Sequence, residues 1–79
     1  MEDKEMTRFE KDAREAWEGN EIEVLKRRKA ELERLEKEGR CCKNSFRRTC
    51  IAQEYTRLKR EYDKIDEMIE MGLGPEQIL

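Results

Sequence analysis

Residues 51–69 have the sequence IAQEYTRLKREYDKIDEMI and carry the clearest structural signal in the chain. Their apolar side chains recur at alternating steps of four and three residues, at Ile51, Tyr55, Leu58, Tyr62, Ile65 and Ile69. This heptad spacing keeps one narrow apolar stripe on a single side of a helix, where it packs against a neighbouring helix. We therefore predict a coiled-coil-like helix here and call these six residues the seam.

The helix that carries the seam is predicted over residues 45–71. Asn44 or Ser45 is suited to cap its start, and Gly72 is suited to end it, because glycine tolerates the left-handed conformation that follows many helices. A further turn is predicted over residues 75–79, since its leading proline is favoured at the first helical position. A frayed chain end is the alternative for this last segment.

A short first helix is predicted over residues 7–18. Thr7 and Glu10 have the spacing of a capping box, in which a hydroxyl and a carboxylate each bond a backbone amide that the helix leaves unpaired. Gly19 marks the end of this helix, because the apolar pattern changes phase there. The apolar side of the helix consists of Met6, Phe9, Ala13, Ala16 and Trp17.

A second helix is predicted over residues 20–38, with Asn20 as its N-terminal cap and Gly39 as its end. Arg28 interrupts its apolar stripe. The inward residues are expected to be Ile22, Leu25, Leu32 and Leu35. The connection to the third helix is only a few residues long, so the two helices are expected to run antiparallel as a hairpin with its tip near residues 39–46.

The fold that these elements predict is all-α. It is a single domain, residues 1–79, in which the short N-terminal helix packs on a long antiparallel helical hairpin. Of the 79 residues, 35% are hydrophobic and 48% are charged, and so small a core usually needs a further source of stability. Because self-association supplies it most simply, we expect a homodimeric helical bundle. Heptad rules leave parallel and antiparallel dimers open, since leucine, isoleucine and tyrosine mix along the seam.

The composition argues against an enzyme. The chain has no histidine, the commonest general base. Its single serine, Ser45, is placed to cap a helix, and the sequence has no glycine-rich phosphate loop. Carboxylates paired with lysine or arginine on helix surfaces are usually solvated and not acid–base pairs. We therefore expect no catalytic residue, no cofactor and no small-molecule substrate.

Three cysteines, Cys41, Cys42 and Cys50, lie near the predicted tip. Their spacing is not that of a structural zinc site, so no bound metal is expected. An odd number of cysteines also fits a secreted disulfide framework poorly. Because no stretch approaches the ~20 apolar residues that span a bilayer, and the N-terminus lacks the layout of a secretory signal, we expect a soluble cytoplasmic protein with no membrane association.

Charge is distributed unevenly along the hairpin. Residues 39–53 contain four basic residues and no acidic one, whereas residues 61–79 contain six acidic residues and one lysine. The net charge of the whole chain is only −2, so the layout is more informative than the total. The hairpin is predicted to have a positively charged tip and a negatively charged opposite end, which we call the base of the hairpin.

The predicted partner-binding site lies at this tip and comprises Arg40, Lys43, Phe46, Arg47, Arg48 and Cys50. Phe46 lies off the seam, and Cys50 follows one helical turn later on the same face. Aromatic and arginine side chains dominate the energetics of many protein interfaces. The alternative role for Phe46 is a core position in the dimer.

These features favour a non-enzymatic interaction module that binds a protein partner through the tip. We expect an inhibitor or adaptor, of the kind that phages encode against larger host complexes, although no residue identifies that class. The alternative is a small dimeric nucleic-acid-binding protein that binds phosphates with the same basic residues. An isoelectric point near 5.3 and the lack of interleaved aromatic residues count against it. A structural coiled-coil spacer is the third class.

Overall fold

The structure, a computed structural model, describes residues 7–78 and contains only helices and turns in that range. Helix α1 spans Arg8–Glu15, α2 spans Glu21–Cys41 and α3 spans Ser45–Met71. A turn at Ala16–Asn20 joins α1 to α2, and a short 3-10 turn, Pro75–Gln77, follows α3. No helix within the described residues is long and apolar enough to cross a lipid bilayer.

Helix α1 begins with the capping box that the sequence predicts. The Thr7 hydroxyl accepts a hydrogen bond from the Glu10 amide at 3.2 Å, and the Glu10 carboxylate accepts one from the Thr7 amide at 2.9 Å. The helix ends at Glu15, earlier than predicted, and the chain kinks at Gly19, where φ is +111°. A side chain would strain the backbone at this angle, so the kink requires glycine.

The apolar side of α1 differs from the prediction at Trp17. Ala13 and Ala16 are buried and Phe9 is half-buried, but Trp17 is 49% exposed. Trp17 directly follows Ala16 and is therefore rotated from it by about 100° around the helix axis. This rotation places the indole ring at the edge of the apolar stripe. Met6, which was assigned to the same stripe, lies outside the described residues.

Helix α2 differs from its prediction at both ends. Asn20 makes no side-chain capping bond to α2, and its amide group instead donates to a carboxylate oxygen of Glu15. Gly39 does not end the helix, which continues to Cys41. A Cβ atom placed on Gly39 would lie 3.5 Å from Ile51 Cγ2. Gly39 therefore marks a close approach between two helices and not a helix end.

Three residues that recur at every fourth position form the buried side of α2: Val24, Arg28 and Leu32. Each of them is at most 6% exposed. Leu25 and Leu35 are half-buried beside this series. The expectation that Ile22 points inward is wrong, because Ile22 lies outside the series and is 77% exposed. Arg28 does not interrupt the buried stripe but belongs to it.

Helix α3 spans the range that the sequence predicts. At its start, the Asn44 side chain accepts a hydrogen bond from the Arg47 amide at 2.9 Å. At its end, Gly72 adopts a left-handed conformation with φ of +69°. The Leu73 amide then donates to the Met68 carbonyl at 2.9 Å, which closes the helix.

The 3-10 turn after α3 brings the chain back against the base of the hairpin. Pro75 is buried, and Leu73 and Ile78 pack against the core. This turn occupies most of the segment predicted over residues 75–79. Leu79 lies outside the described residues.

Helices α2 and α3 pack as an antiparallel hairpin. Gly39 lies opposite Ile51 near the tip, and Arg28 Nη1 donates to Glu61 Oε1 at 2.8 Å further along. Residue numbers therefore fall along α2 as they rise along α3. All six seam residues are shielded from solvent to some degree: Leu58 and Ile65 are buried, and Ile51, Tyr55, Tyr62 and Ile69 are half-buried.

The tightest packing lies at the base of the hairpin, where α1 covers α2 and α3. The core cluster consists of Ala13, Ala16, Val24, Ile65 and Met68, and each of these is at most 1% exposed. In contrast, every residue from 43 to 50 is exposed. The base is thus a small three-helix core, and the tip is a bare two-helix hairpin.

Candidate functional site

The structure leaves the whole predicted partner-binding site accessible at the tip. Six residues are exposed there: Arg40, Lys43, Phe46, Arg47, Arg48 and Cys50. Phe46 is 78% exposed, the largest value for any large hydrophobic side chain in residues 7–78. Because Asn44 caps α3, Phe46 and Arg47 lie in the first helical turn, where the backbone is fixed. The aromatic ring is therefore presented to solvent from a regular element.

The basic side chains at the tip differ in their ion pairing from the basic side chains at the opposite end of the hairpin. Arg8 pairs with Glu31, and both Arg27 and Arg28 pair with Asp12, so these three link α1 to α2. Within residues 7–78, by contrast, no ion pair involves Lys43, Arg47 or Arg48. No carboxylate in the described part of the chain therefore neutralises this positive charge at the tip.

Among the described residues, Arg40 is the one basic residue of the site that has an ion-pair partner. Its guanidinium lies 2.9 Å from a carboxylate oxygen of Glu36, one turn earlier on α2. Both side chains are more than half exposed, at 74% and 52%. An exposed pair of this kind contributes little, roughly 0–1 kcal/mol, so Arg40 remains available to another carboxylate.

A groove runs between α2 and α3 directly below the tip. Its volume is about 570 Å³. Helix α2 contributes Leu35, Glu36, Gly39 and Arg40 to its lining, and α3 contributes Arg48, Ile51, Ala52, Tyr55 and Thr56. We call this feature the tip groove. Its floor is mainly apolar, and its charged groups are an arginine from each helix and the Glu36 carboxylate that pairs with Arg40, so it combines a hydrophobic contact surface with a net positive charge.

Sequence reasoning did not identify the tip groove. It assigned Ile51 and Tyr55 to the seam and Gly39 to a helix end. The sequence feature that could have indicated the groove is the presence of two small residues, Gly39 and Ala52, on neighbouring helices. Small side chains leave space that larger ones would fill. Their alignment depends on the register of α2 against α3, which the sequence does not state directly.

A buried arginine organises the base of the molecule. Arg28 is 2% exposed, with Nε 2.7 Å from Asp12 Oδ2 and Nη1 2.8 Å from Glu61 Oε1. Its Cζ atom lies 6.0 Å from the centre of the Phe9 ring. Nη2 has no hydrogen-bond partner in the described part of the chain. We call Asp12, Arg28 and Glu61 the buried triad, and its role is to fix the three helices relative to one another.

Hydrogen bonds across the α1–α2 junction also shift carboxylate pKa values. The hydrogen bond from Arg8 lowers the pKa of Glu31 below its ordinary value of 4.5, against the opposing effect of burial. The hydrogen bonds from Arg27 and Asn20 lower the pKa of Glu15 in the same way. Both carboxylates are therefore held in the ionised form that docks α1 on α2.

The three cysteines are free thiols. Cys41 and Cys50 are exposed and Cys42 is half-buried, with its sulfur 3.6 Å from the Asn44 carbonyl oxygen. Among residues 7–78 there is no group of three or more histidine, cysteine, aspartate or glutamate side chains arranged to hold a metal ion.

Comparison of the chain with protein-family models, with curated proteins and with solved structures finds no match. Its function is therefore inferred from its own residues, and the tip is the part of the surface where apolar area, unpaired charge and a groove coincide.

Proposed function

We propose that this protein is a non-enzymatic interaction module that binds another protein through the tip of its hairpin, as an inhibitor or adaptor. The observation that carries the proposal is Phe46, which is 78% exposed next to Arg47 and Arg48, two residues with no ion-pair partner within residues 7–78. Exposure of the ring contributes nothing to the folding of a single chain. Aromatic and arginine side chains are, however, the residue types most enriched among interface hot spots.

The energetic argument follows from burial of the ring. Transferring a phenylalanine side chain from water to an apolar contact is worth about 1.5–3 kcal/mol. Because Phe46 lies in a capped helical turn, little backbone ordering is required when a partner covers it. The surrounding arginines would then supply charge-assisted hydrogen bonds at the edge of the contact.

We further propose that the chain associates into a homodimeric, coiled-coil-like bundle. Its fully buried hydrophobic set is small, and two large apolar side chains remain exposed near the base, Ile22 at 77% and Met71 at 63%. Sedimentation equilibrium tests this part directly, since a dimer has twice the mass of the 9.6 kDa chain. A monomer at all micromolar concentrations would contradict it.

Nucleic-acid binding is the second candidate function. It is favoured by Lys43, Arg47 and Arg48, because basic side chains that have no carboxylate partner among the described residues are available to phosphates. Such binding would weaken steeply as salt increases, since each phosphate contact releases a counterion. Phe46 would matter little to it.

A binding experiment with a matched control separates these functions. The wild-type protein, Phe46→Ala, Arg47→Ala/Arg48→Ala and Trp17→Ala are used to capture partners from the cells that produce the chain, and the recovered protein or nucleic acid is then titrated in purified form. Trp17 is the control because it is also an exposed aromatic residue, at 49%, but lies at the opposite end, in the turn between α1 and α2.

For the proposed function we expect Phe46→Ala to weaken binding of a discrete protein by about 2 kcal/mol or more, roughly thirtyfold. Trp17→Ala should leave that affinity unchanged. Recovery that nuclease abolishes, and that only the arginine pair affects, would instead establish the nucleic-acid function. If none of the variants changes any binding, the tip is not an interaction site.

A further inference from the structure

We propose that the tip groove is the receptor for an acidic amphipathic segment of the protein partner, with an apolar side chain inserted between α2 and α3 and carboxylates placed on Arg40 and Arg48. This proposal rests on the proposed function and adds the chemistry of the partner to it. It concerns a surface distinct from the Phe46 ring, so the two parts can succeed or fail separately.

The size and lining of the groove support an inserted side chain. Its volume of about 570 Å³ lies within the range of about 300–1,000 Å³ that is usual for binding pockets. Gly39 contributes no side chain and Ala52 only a methyl group, while Leu35 and Ile51 supply apolar contact area. The space between the helices is therefore shaped by small residues and lined by large apolar ones.

The architecture explains why residues 7–78 leave this space open. At the base, α1 contributes Ala13 and Ala16 to the core and covers the hairpin. At the tip, no third helix from the described part of the chain covers the hairpin, and residues 43–50 are all exposed. A helical segment from a partner would occupy at the tip the position that α1 occupies at the base, in the manner of a helix laid in a groove.

Charge complementarity determines the class of segment. Arg48 has no ion pair within residues 7–78, and Arg40 has only its exposed partner Glu36. Lys43 and Arg47 add unpaired positive charge above the groove. A segment rich in glutamate or aspartate satisfies these groups through charge-assisted bonds, which for arginine are often bidentate, whereas a basic segment would be repelled.

A second copy of this chain fits the groove less well than a different protein does. The acidic end of α3 would have to enter it, but Ile65 and Met68 there are 0% exposed because they form the chain's own core, which leaves Met71, at 63%, as the exposed large apolar side chain of that end. Glu61 is already engaged by Arg28 and Arg57. A single methionine at the end of a helix offers less apolar contact than a segment with several apolar residues along one face.

The test uses a defined probe. A fluorescein-labelled peptide of about 14 residues, long enough for about four helical turns, carries leucine and phenylalanine along one face and glutamate elsewhere. A second peptide has lysine in place of every glutamate. Binding of each to the intact chain is followed by fluorescence anisotropy, and the contact surface is mapped by ¹⁵N chemical shifts.

Two variants alter the groove, and each has a matched control. Ala52→Glu places a carboxylate in the groove, and Ala30→Glu makes the same change at another exposed alanine, on α2 outside the groove. Arg48→Glu reverses charge at the groove, and Arg34→Glu reverses it at an exposed position elsewhere. Circular dichroism verifies that all four variants retain their helices.

We expect the acidic peptide to bind, with Ala52→Glu and Arg48→Glu each weakening it at least about tenfold. Both controls should remain within about twofold of the wild type, and the lysine peptide should not bind. Equal affinity for the two peptides would overturn the proposal, as would groove variants that behave like their controls. A change in oligomeric state on Ala52→Glu, without loss of peptide binding, would assign the groove to a second copy instead.

Once the natural partner is captured, its binding to the variants distinguishes failure of the groove proposal from failure of the proposed function. If Phe46→Ala abolishes its binding but Ala52→Glu and Arg48→Glu do not, the tip function stands and the groove proposal fails. If neither set of variants affects the partner, the proposed function itself is wrong.

Discussion

Arg28 on α2 donates a hydrogen bond from Nε to Asp12 Oδ2 on α1 at 2.7 Å, in a position where the two residues are only 2% and 7% exposed. The same guanidinium reaches Glu61 on α3 through Nη1. One buried side chain therefore contacts all three helices. Breaking such a pair leaves a buried charge without full compensation, which is usually far more costly than breaking an exposed pair.

Asp12→Ala is therefore expected to destabilise the fold by about 3 kcal/mol. The loss arises because Arg28 remains buried with one carboxylate fewer, and because α1 loses its main polar contact with α2. Urea unfolding followed by circular dichroism measures the change. The control is Arg40→Ala, which breaks the exposed pair with Glu36 and should cost no more than about 0.5 kcal/mol. Equal costs for the two variants would contradict the structural role of the buried triad.

Two glycine substitutions are expected to change stability in opposite directions. Gly72→Ala should destabilise by about 1 kcal/mol, because φ is +69° there and an L-residue is strained at that angle. Gly39→Ala should stabilise by about 0.5–1 kcal/mol, since Gly39 lies inside α2 and the added methyl group meets Ile51 Cγ2 at an ordinary 3.5 Å. Both are measured by the midpoint of urea unfolding. A destabilised Gly39→Ala would show that the helices have no room to accommodate a methyl group.

Phe46→Ala is expected to leave the stability of the chain within about 0.5 kcal/mol of the wild type, because the ring is 78% exposed. Leu58→Ala is the comparison, since Leu58 is 2% exposed on the seam and its truncation should cost about 2–5 kcal/mol. Thermal unfolding at several protein concentrations provides the readout. A concentration-dependent loss for Phe46→Ala would place that ring in the core of a dimer.

Acid is expected to weaken the docking of α1 on α2 through Glu31. Because its hydrogen bond with Arg8 lowers the folded-state pKa below 4.5, the carboxylate contributes stability that is complete above the unfolded value. That contribution is lost as the pH falls below 4.5 and through the folded pKa. Urea unfolding between pH 7 and pH 3 should therefore show a decrease that is smaller in Glu31→Gln. Arg8→Ala, which removes the donor of this hydrogen bond, should reduce the decrease in the same way.

The parts of the fold that depend on local signals could be predicted from the sequence. The capping box at Thr7 and Glu10, the Asn44 cap and the glycine at residue 72 each act within a few residues of the helix end they define. The seam likewise predicts which side of α3 is shielded, because its period is a property of α3 alone. Exposure of Phe46 could be inferred in the same way, from its position off the seam.

The parts that depend on contacts between helices could not be predicted. Arg28 interrupts an apolar stripe in the sequence, but its two carboxylate partners lie 16 and 33 residues away along the chain. Gly39 has the signature of a helix end, yet it is a point where α3 approaches α2. The sequence allows either Ile22 or Val24 to face the core, and the packing of α2 in the hairpin buries Val24 and leaves Ile22 exposed. The tip groove depends on the same register.

The separation of charge along the hairpin gives the molecule an electric dipole whose positive end is the tip. Basic residues that form no ion pair within residues 7–78 lie at one end of a body that measures 42 × 32 × 17 Å, and most of the acidic residues of α3 lie towards the other. An acidic partner attracts the tip and repels the base at separations up to about one Debye length, roughly 8–10 Å at physiological ionic strength. If the proposed acidic partner exists, the chain would turn tip-first towards it before any contact forms, and added salt should slow their association far more than it speeds their dissociation.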